Sequence, residues 1–151
     1  LSLFMMKIKV VELQLRCEYE IDIPGDNQYV YGVETARPIF CDTIGLGNVE
    51  YVALLCLDST NKIINYSKVA MGNIENVKVS IAQILKTALL SNSSKIIVAH
   101  NHPSGVLEIT SNDIDITKKI GTVAGLLDIK MIDSLVVYGK TALSIRESMG
   151  E

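Results

Sequence analysis

The chain has no tryptophan and only two phenylalanines among its 151 residues, so its core has to be aliphatic, built from the Ile, Val, Leu and Ala that lift apolar content to 48%. Cysteine is scarce and odd in number. Cys17, Cys41 and Cys56 show no C-x-x-C spacing, which disfavours a disulfide framework and a cysteine-based metal site, and at least one sits in a strand pattern as a small hydrophobe would. Long apolar runs are missing too. The run Tyr51-Val52-Ala53-Leu54-Leu55-Cys56-Leu57 is far too short to cross a bilayer, and no basic flank followed by an apolar run resembles a signal peptide, so a soluble, cytoplasmic protein without membrane contact is expected. Basic runs beyond pairs such as Lys118-Lys119 are also absent. With a formal net charge of -3, direct nucleic-acid binding is not expected of this surface.

The length predicts one domain with a sizeable core. Leu1-Ser2-Leu3-Phe4 precede Met5-Met6, are compatible with a cloning-derived leader, and are set aside from the fold reasoning. From Val11 to Ile23 apolar and polar residues alternate strictly, which predicts a strand with one wet face. Pro24-Gly25-Asp26-Asn27 marks a turn, and Tyr29-Val30-Tyr31 reads as the returning strand of a hairpin. Residues 1–37 are thus expected to be a strand or hairpin extension of the domain formed by 38–151.

Residues 35–44 suggest a short helix with Pro38 near its start, closed by Gly45 and Gly47. The run 51–57 reads as a buried central strand, Asp58-Ser59-Thr60-Asn61 as a turn, and 63–70 as its hairpin partner. Ser80 and Gln83 form a capping box for a helix whose inner face is Ile81, Ile84, Leu85, Ala88 and Leu89. A polar break at 91–94 precedes the strand Lys95-Ile96-Ile97-Val98-Ala99. Thr110 can cap a helix over 111–126, and a strand over 130–137 and a short one over 142–145 complete an α/β sandwich with a mixed or antiparallel sheet.

Both histidines of the chain lie in Ala99-His100-Asn101-His102-Pro103-Ser104-Gly105. At the end of an extended strand, His100 and His102 point one way and Asn101 the other. Pro103 stops the strand, Gly105 loosens the turn, and the start of the next helix returns Asp113 to the same point. Two nitrogens and one carboxylate oxygen make a three-ligand zinc site with one open position. Asp115 is the rival ligand, but two residues on it is turned about 200° around the helix from Asp113. Asn101 reads as a tie between loop and backbone, and Ser104 as a turn residue.

The spacing His100-x-His102, seven residues, Thr110, two residues, Asp113, with an acid upstream on a strand, resembles the JAMM motif of JAB/MPN-domain metalloproteases. The RadC-like branch is the nearer likeness, through Asp58, Gly72, Ala88-Leu89, Asn92, Ile96-Ile97, the stretch 99–105, Asp113-Ile114 and Asp133, over about residues 38–148. The resemblance implies a JAB/MPN-like, cytidine-deaminase-like mixed sheet flanked by helices. It also implies zinc on His100, His102 and Asp113, with Glu50 as general base to the metal-bound water and proton carrier to the leaving amine. Thr110 stands where the motif has a hydroxyl that helps to stabilise the oxyanion. A helix cap is the equal alternative for that hydroxyl, and Glu108 is the rival base.

The implied function is zinc-dependent hydrolysis of peptide or isopeptide bonds in a peptide or protein substrate. A non-catalytic MPN-type interaction module and an accessory protein of DNA repair are the alternatives. Three positions depart from the RadC-like pattern. Ala82-Gln83 replaces the usual Arg-Glu pair, Ser134 follows Asp133 in place of histidine, and residues 1–37 do not read as the helix-hairpin-helix region of longer members, which leaves a stand-alone catalytic domain.

Overall fold

In the computed structural model, residues 3–23, 28–72 and 81–150 are described. Their elements run α1 (Val33–Ile44), β1 (Glu50–Leu57), β2 (Ile63–Gly72), α2 (Ile81–Leu90), β3 (Lys95–Asn101), α3 (Ser111–Leu126), β4 (Lys130–Tyr138), β5 (Thr141–Ser144) and α4 (Ile145–Ser148). One five-stranded sheet has the order β2-β1-β3-β4-β5. It is mixed: β3 and β4 are parallel and joined through α3, while the other neighbours are antiparallel. The expected α/β architecture is the one observed.

The sheet is covered on both faces, which is why β1 is buried from Val52 to Leu57 without a wet side. Alternate residues divide between the two cores. Ala53, Leu55, Leu57, Ile97, Ala99, Leu135 and Val137 pack with Ala36, Ile39, Phe40 and Ile44 of α1. Val52, Leu54, Cys56, Ile96 and Val98 pack instead with Ile84, Leu85 and Ala88 of α2 and with Ile120 and Ala124 of α3. The period of two in the strands therefore decides which helix each side chain meets. It decides the face of the functional residues as well.

Several expectations are corrected. Residues 3–23 form neither helix nor strand, and Val11 and Leu13 are about four-fifths exposed (78% and 81%). Alternation makes a strand only where a neighbour accepts its backbone bonds, and among the described residues the sheet ends at β2 on that side. The returning strand at 29–31 is reduced to one bridge, Tyr29 to Lys62, beside β2, and Val30 is buried. The turn at 24–27 and the cap at Ser80 lie outside the described residues.

Helix α1 begins at Val33, two residues early, with Pro38 inside it, and Ala36 already belongs to the core. Leu89, expected on the inner face of α2, is 47% exposed. The last strand starts and ends one residue earlier than expected and is followed by the unanticipated α4, which starts because Ser144 accepts the Glu147 N–H as an N-cap. Among the described residues no helix is long and apolar enough to cross a membrane.

Candidate metal centre

The site is built on the α3-facing side of the sheet, at the end of β3. The β1–β3 register pairs Val52 with His100, so Glu50, two residues before Val52, lies on the same face as His100 and opposite His102. Beyond Asn101 the chain stays tied to the sheet, because the His102 N–H donates to the Val137 carbonyl of β4 at 3.0 Å. The turn then closes with the Gly105 N–H on the His102 carbonyl. Gly105 has φ +82°, in the left-handed region where a side chain is strained, and a Cβ there would also press on the Tyr138 ring at 3.3 Å. Glycine is what lets the loop turn toward α3.

Helix α3 begins with a reciprocal capping box. Thr110 Oγ1 accepts the Asp113 N–H at 3.1 Å, and Asp113 Oδ2 accepts the Thr110 N–H at 2.9 Å. That cap fixes the rotamer of Asp113 and aims its other oxygen at His100. Asp113 Oδ1 lies 3.0 Å from His100 Nε2, Asp113 Oδ2 lies 3.8 Å from His102 Nε2, and the two Nε2 atoms are 3.2 Å apart. Ligands about 2.0–2.1 Å from a tetrahedral ion stand roughly 3.3–3.4 Å from one another, so the three groups have the spacing of a coordination shell. Glu50 completes the cluster, since one ligand atom from each of Glu50, His100 and His102 lies within 4.8 Å of the others.

The chemistry of the donors fits a cation. His102 Nδ1 is 3.1 Å from the Val106 carbonyl, which can only accept, so Nδ1 carries the proton and Nε2 presents its lone pair to the cluster. That lone pair, 3.2 Å from His100 Nε2, takes either a proton from His100 or a metal ion shared with it. The three side chains are not flooded by solvent either: those of His100, His102 and Asp113 are 13%, 16% and 10% exposed.

The two carboxylates are driven apart by their surroundings. Burial pushes the Glu50 carboxyl above the usual carboxylate range and the Asp113 charge adds to this, against a smaller opposing pull from His100 and His102. Burial would also raise Asp113, but the hydrogen bond to His100, with the Thr110 N–H and hydroxyl, outweighs it and brings the acid down to about 2. Asp113 is thus a permanent anion, as a ligand should be. Glu50 is the carboxylate with appetite for a proton.

The structure brings together Glu50, His100, His102 and Asp113, with Thr110 one hydrogen bond away. It leaves out the rivals: Glu108 and Asp115 are exposed and neither joins the cluster. Ser104 is an exposed turn residue whose hydroxyl accepts the Val106 N–H. Two contributions were not foreseen. The Val106 carbonyl orients His102, and Ser134 lines the cleft beside His100 and Glu50 from β4. The parity of β4 carried the second signal, because Ser134 pairs with Val98 on the same face as His100.

Residues 31–150 match the family model described as RadC-like JAB domain. The chain belongs to this family. Among its relatives it is 34% identical over 116 residues to a UPF0758 protein of Finegoldia magna, covering 77% of this chain and 52% of that protein. It is 36% identical over 101 residues to a UPF0758 protein of Acidithiobacillus ferrooxidans, covering 67% and 45%. A UPF0758 protein of Pseudoalteromonas atlantica is 40% identical over 98 residues, covering 65% and 44%. The chain of this RadC-like JAB domain therefore spans about half the length of the curated relatives it matches.

Proposed function

We propose that this RadC-like JAB domain is a zinc-dependent hydrolase of peptide or isopeptide bonds. The observation that carries the reading is the convergence of two imidazole nitrogens and the Asp113 carboxylate at 3.0–3.8 Å, with a second, proton-hungry carboxylate beside them. His100, His102 and Asp113 would hold the zinc. Bound there, zinc would lower the pKa of a coordinated water to about 7 and polarise a scissile carbonyl.

The chain's own residues supply the rest. Glu50 accepts a proton from the attacking water and delivers it to the leaving amine, the role its raised affinity for protons suits. Asp113 stays ionised throughout and is held in place by the cap. The Thr110 hydroxyl accepts the Asp113 N–H as the cap, and its proton, which faces the Asp113 carboxylate at rest, would turn to a developing oxyanion. The substrate class is a peptide or protein, and the acidic net charge argues against nucleic acid.

One observation favours a second reading. Glu50 lies within 4.8 Å of both histidines, so as a fourth protein ligand it would close the shell and make the metal structural, in a non-catalytic interaction module. Glu50→Gln separates the two. Under the hydrolase reading the variant keeps one zinc per chain and loses hydrolysis of a peptide or isopeptide substrate by at least a hundredfold; retained hydrolysis, or zinc lost with the carboxylate, contradicts it.

A further inference from the structure

Asn101 stands between the two histidines on β3, and its side chain points to the opposite face of the sheet. It is 1% exposed, and its amide is fully engaged with the backbone before and at the start of β1. Oδ1 accepts the Tyr51 N–H at 2.6 Å, and Nδ2 donates to the Val49 carbonyl at 2.9 Å and to the Gly47 carbonyl at 3.4 Å. These partners have a particular relation to Glu50. The Val49 carbonyl belongs to the peptide plane before the Glu50 Cα, and the Tyr51 N–H to the plane after it. One buried amide thus holds both planes, and with them the φ and ψ that aim the Glu50 side chain.

The bonds also sit where the β3 side of the ladder stops, while β2 still pairs with Glu50 and Tyr51 on the other edge. The backbone ladder between β1 and β3 ends at Val52 and His100, and the amide of Asn101 carries the connection past it. Gly47 leaves no slack on the far side: a Cβ there would lie 2.9 Å from Asn101 Nδ2 and 2.7 Å from the Tyr51 ring. The geometry points to Asn101 as the positioning residue for Glu50. A strand residue that faces away from the cluster sets the carboxylate's place in it, an inference that rests on the hydrolase reading for its kinetic consequence but not for its structural one.

The test compares the wild type, Asn101→Ala, Asn101→Asp, Glu50→Gln and the double variant Glu50→Gln/Asn101→Ala. Asn101→Asp keeps an acceptor for the Tyr51 N–H but sets a carboxylate against the Val49 and Gly47 carbonyls, so it breaks the clamp with almost no change of volume. Both single Asn101 variants are expected to bind one zinc per chain with unchanged affinity, because the ligands do not depend on residues 47–51. Their kcat is expected to fall about 10–100-fold, the cost of a carboxylate displaced by about 1 Å, with KM within twofold. In the Glu50→Gln background Asn101→Ala is expected to add nothing.

Wild-type kcat in Asn101→Ala, loss of zinc with it, or a further loss in the double variant overturns the assignment. Where the wild type itself cleaves nothing, the hydrolase reading fails, and crystal structures of the metal-free wild type and Asn101→Ala decide the inference. A Glu50 carboxylate displaced out of the 4.8 Å cluster supports it, and one that stays in place overturns it.

Discussion

Thr110 and Asp113 bind each other twice, hydroxyl to N–H and carboxylate to N–H, and the Asp113 oxygen not used by this pair faces His100 at 3.0 Å. A helix cap and a candidate metal ligand are therefore one side chain. The cap orders the carboxylate before any ion arrives, and the positive end of the α3 dipole favours its charge.

Removing that carboxylate has two separable costs. Asp113→Ala and His102→Ala are both expected to lose stoichiometric zinc, and with it the thermal stabilisation that saturating zinc gives the wild type. In the metal-free state only Asp113→Ala lowers stability, by about 1 kcal/mol for the lost capping partner. Metal content measured with thermal unfolding, with and without zinc, separates the effects; wild-type zinc in either variant removes that residue from the ligand set.

Thr110 is expected to serve as cap and as oxyanion donor. Thr110→Ala then loses about 1 kcal/mol, or roughly 3–5 °C in Tm for a chain of this size, while Thr110→Ser keeps most of it. The same alanine variant lowers kcat at least tenfold and the serine variant retains it. Unchanged kcat in Thr110→Ala confines the hydroxyl to the cap.

Tyr66 sets an alkaline limit on stability. Burial pushes its phenol up to about 12 and nearby Tyr19 adds to this, against the opposing effect of its 2.8 Å hydrogen bond with the Thr43 hydroxyl, which can donate to the phenolate. A folded-state pKa above the unfolded value near 10 favours the neutral form, so its contribution is fully present below about pH 10 and is lost as pH rises toward 12. With part of the ring exposed, the loss is about 1–2 kcal/mol. Urea midpoints between pH 9 and 12 are expected to fall more steeply for the wild type than for Tyr66→Phe, and equal slopes contradict this.

Much of this was legible because periodicity and burial coincide. The aliphatic run 51–57 and the short run 95–99 could bury both faces only as central strands, and the parity of β3 put His100 and His102 on one side and Asn101 on the other. The Thr110–Asp113 spacing specified its own cap. The alternation at 11–23 misled for a physical reason: a period of two describes a surface that suits a sheet, and beyond the single bridge at Tyr29 the sheet's β2 edge has no neighbouring strand among the described residues. Asn101's clamp on residues 47–51 was readable only as a tie to some backbone, since its partners are 50 and more residues distant in the chain. Helix α4 was hidden because a strand and a cap share Ser144.

The most direct test is a crystal structure of the zinc-loaded protein. The account predicts one ion held by His100 Nε2, His102 Nε2 and the Asp113 carboxylate, with a water in the fourth position that hydrogen-bonds to Glu50. A shell closed by the Glu50 carboxylate itself, or zinc bound away from these residues, would contradict it.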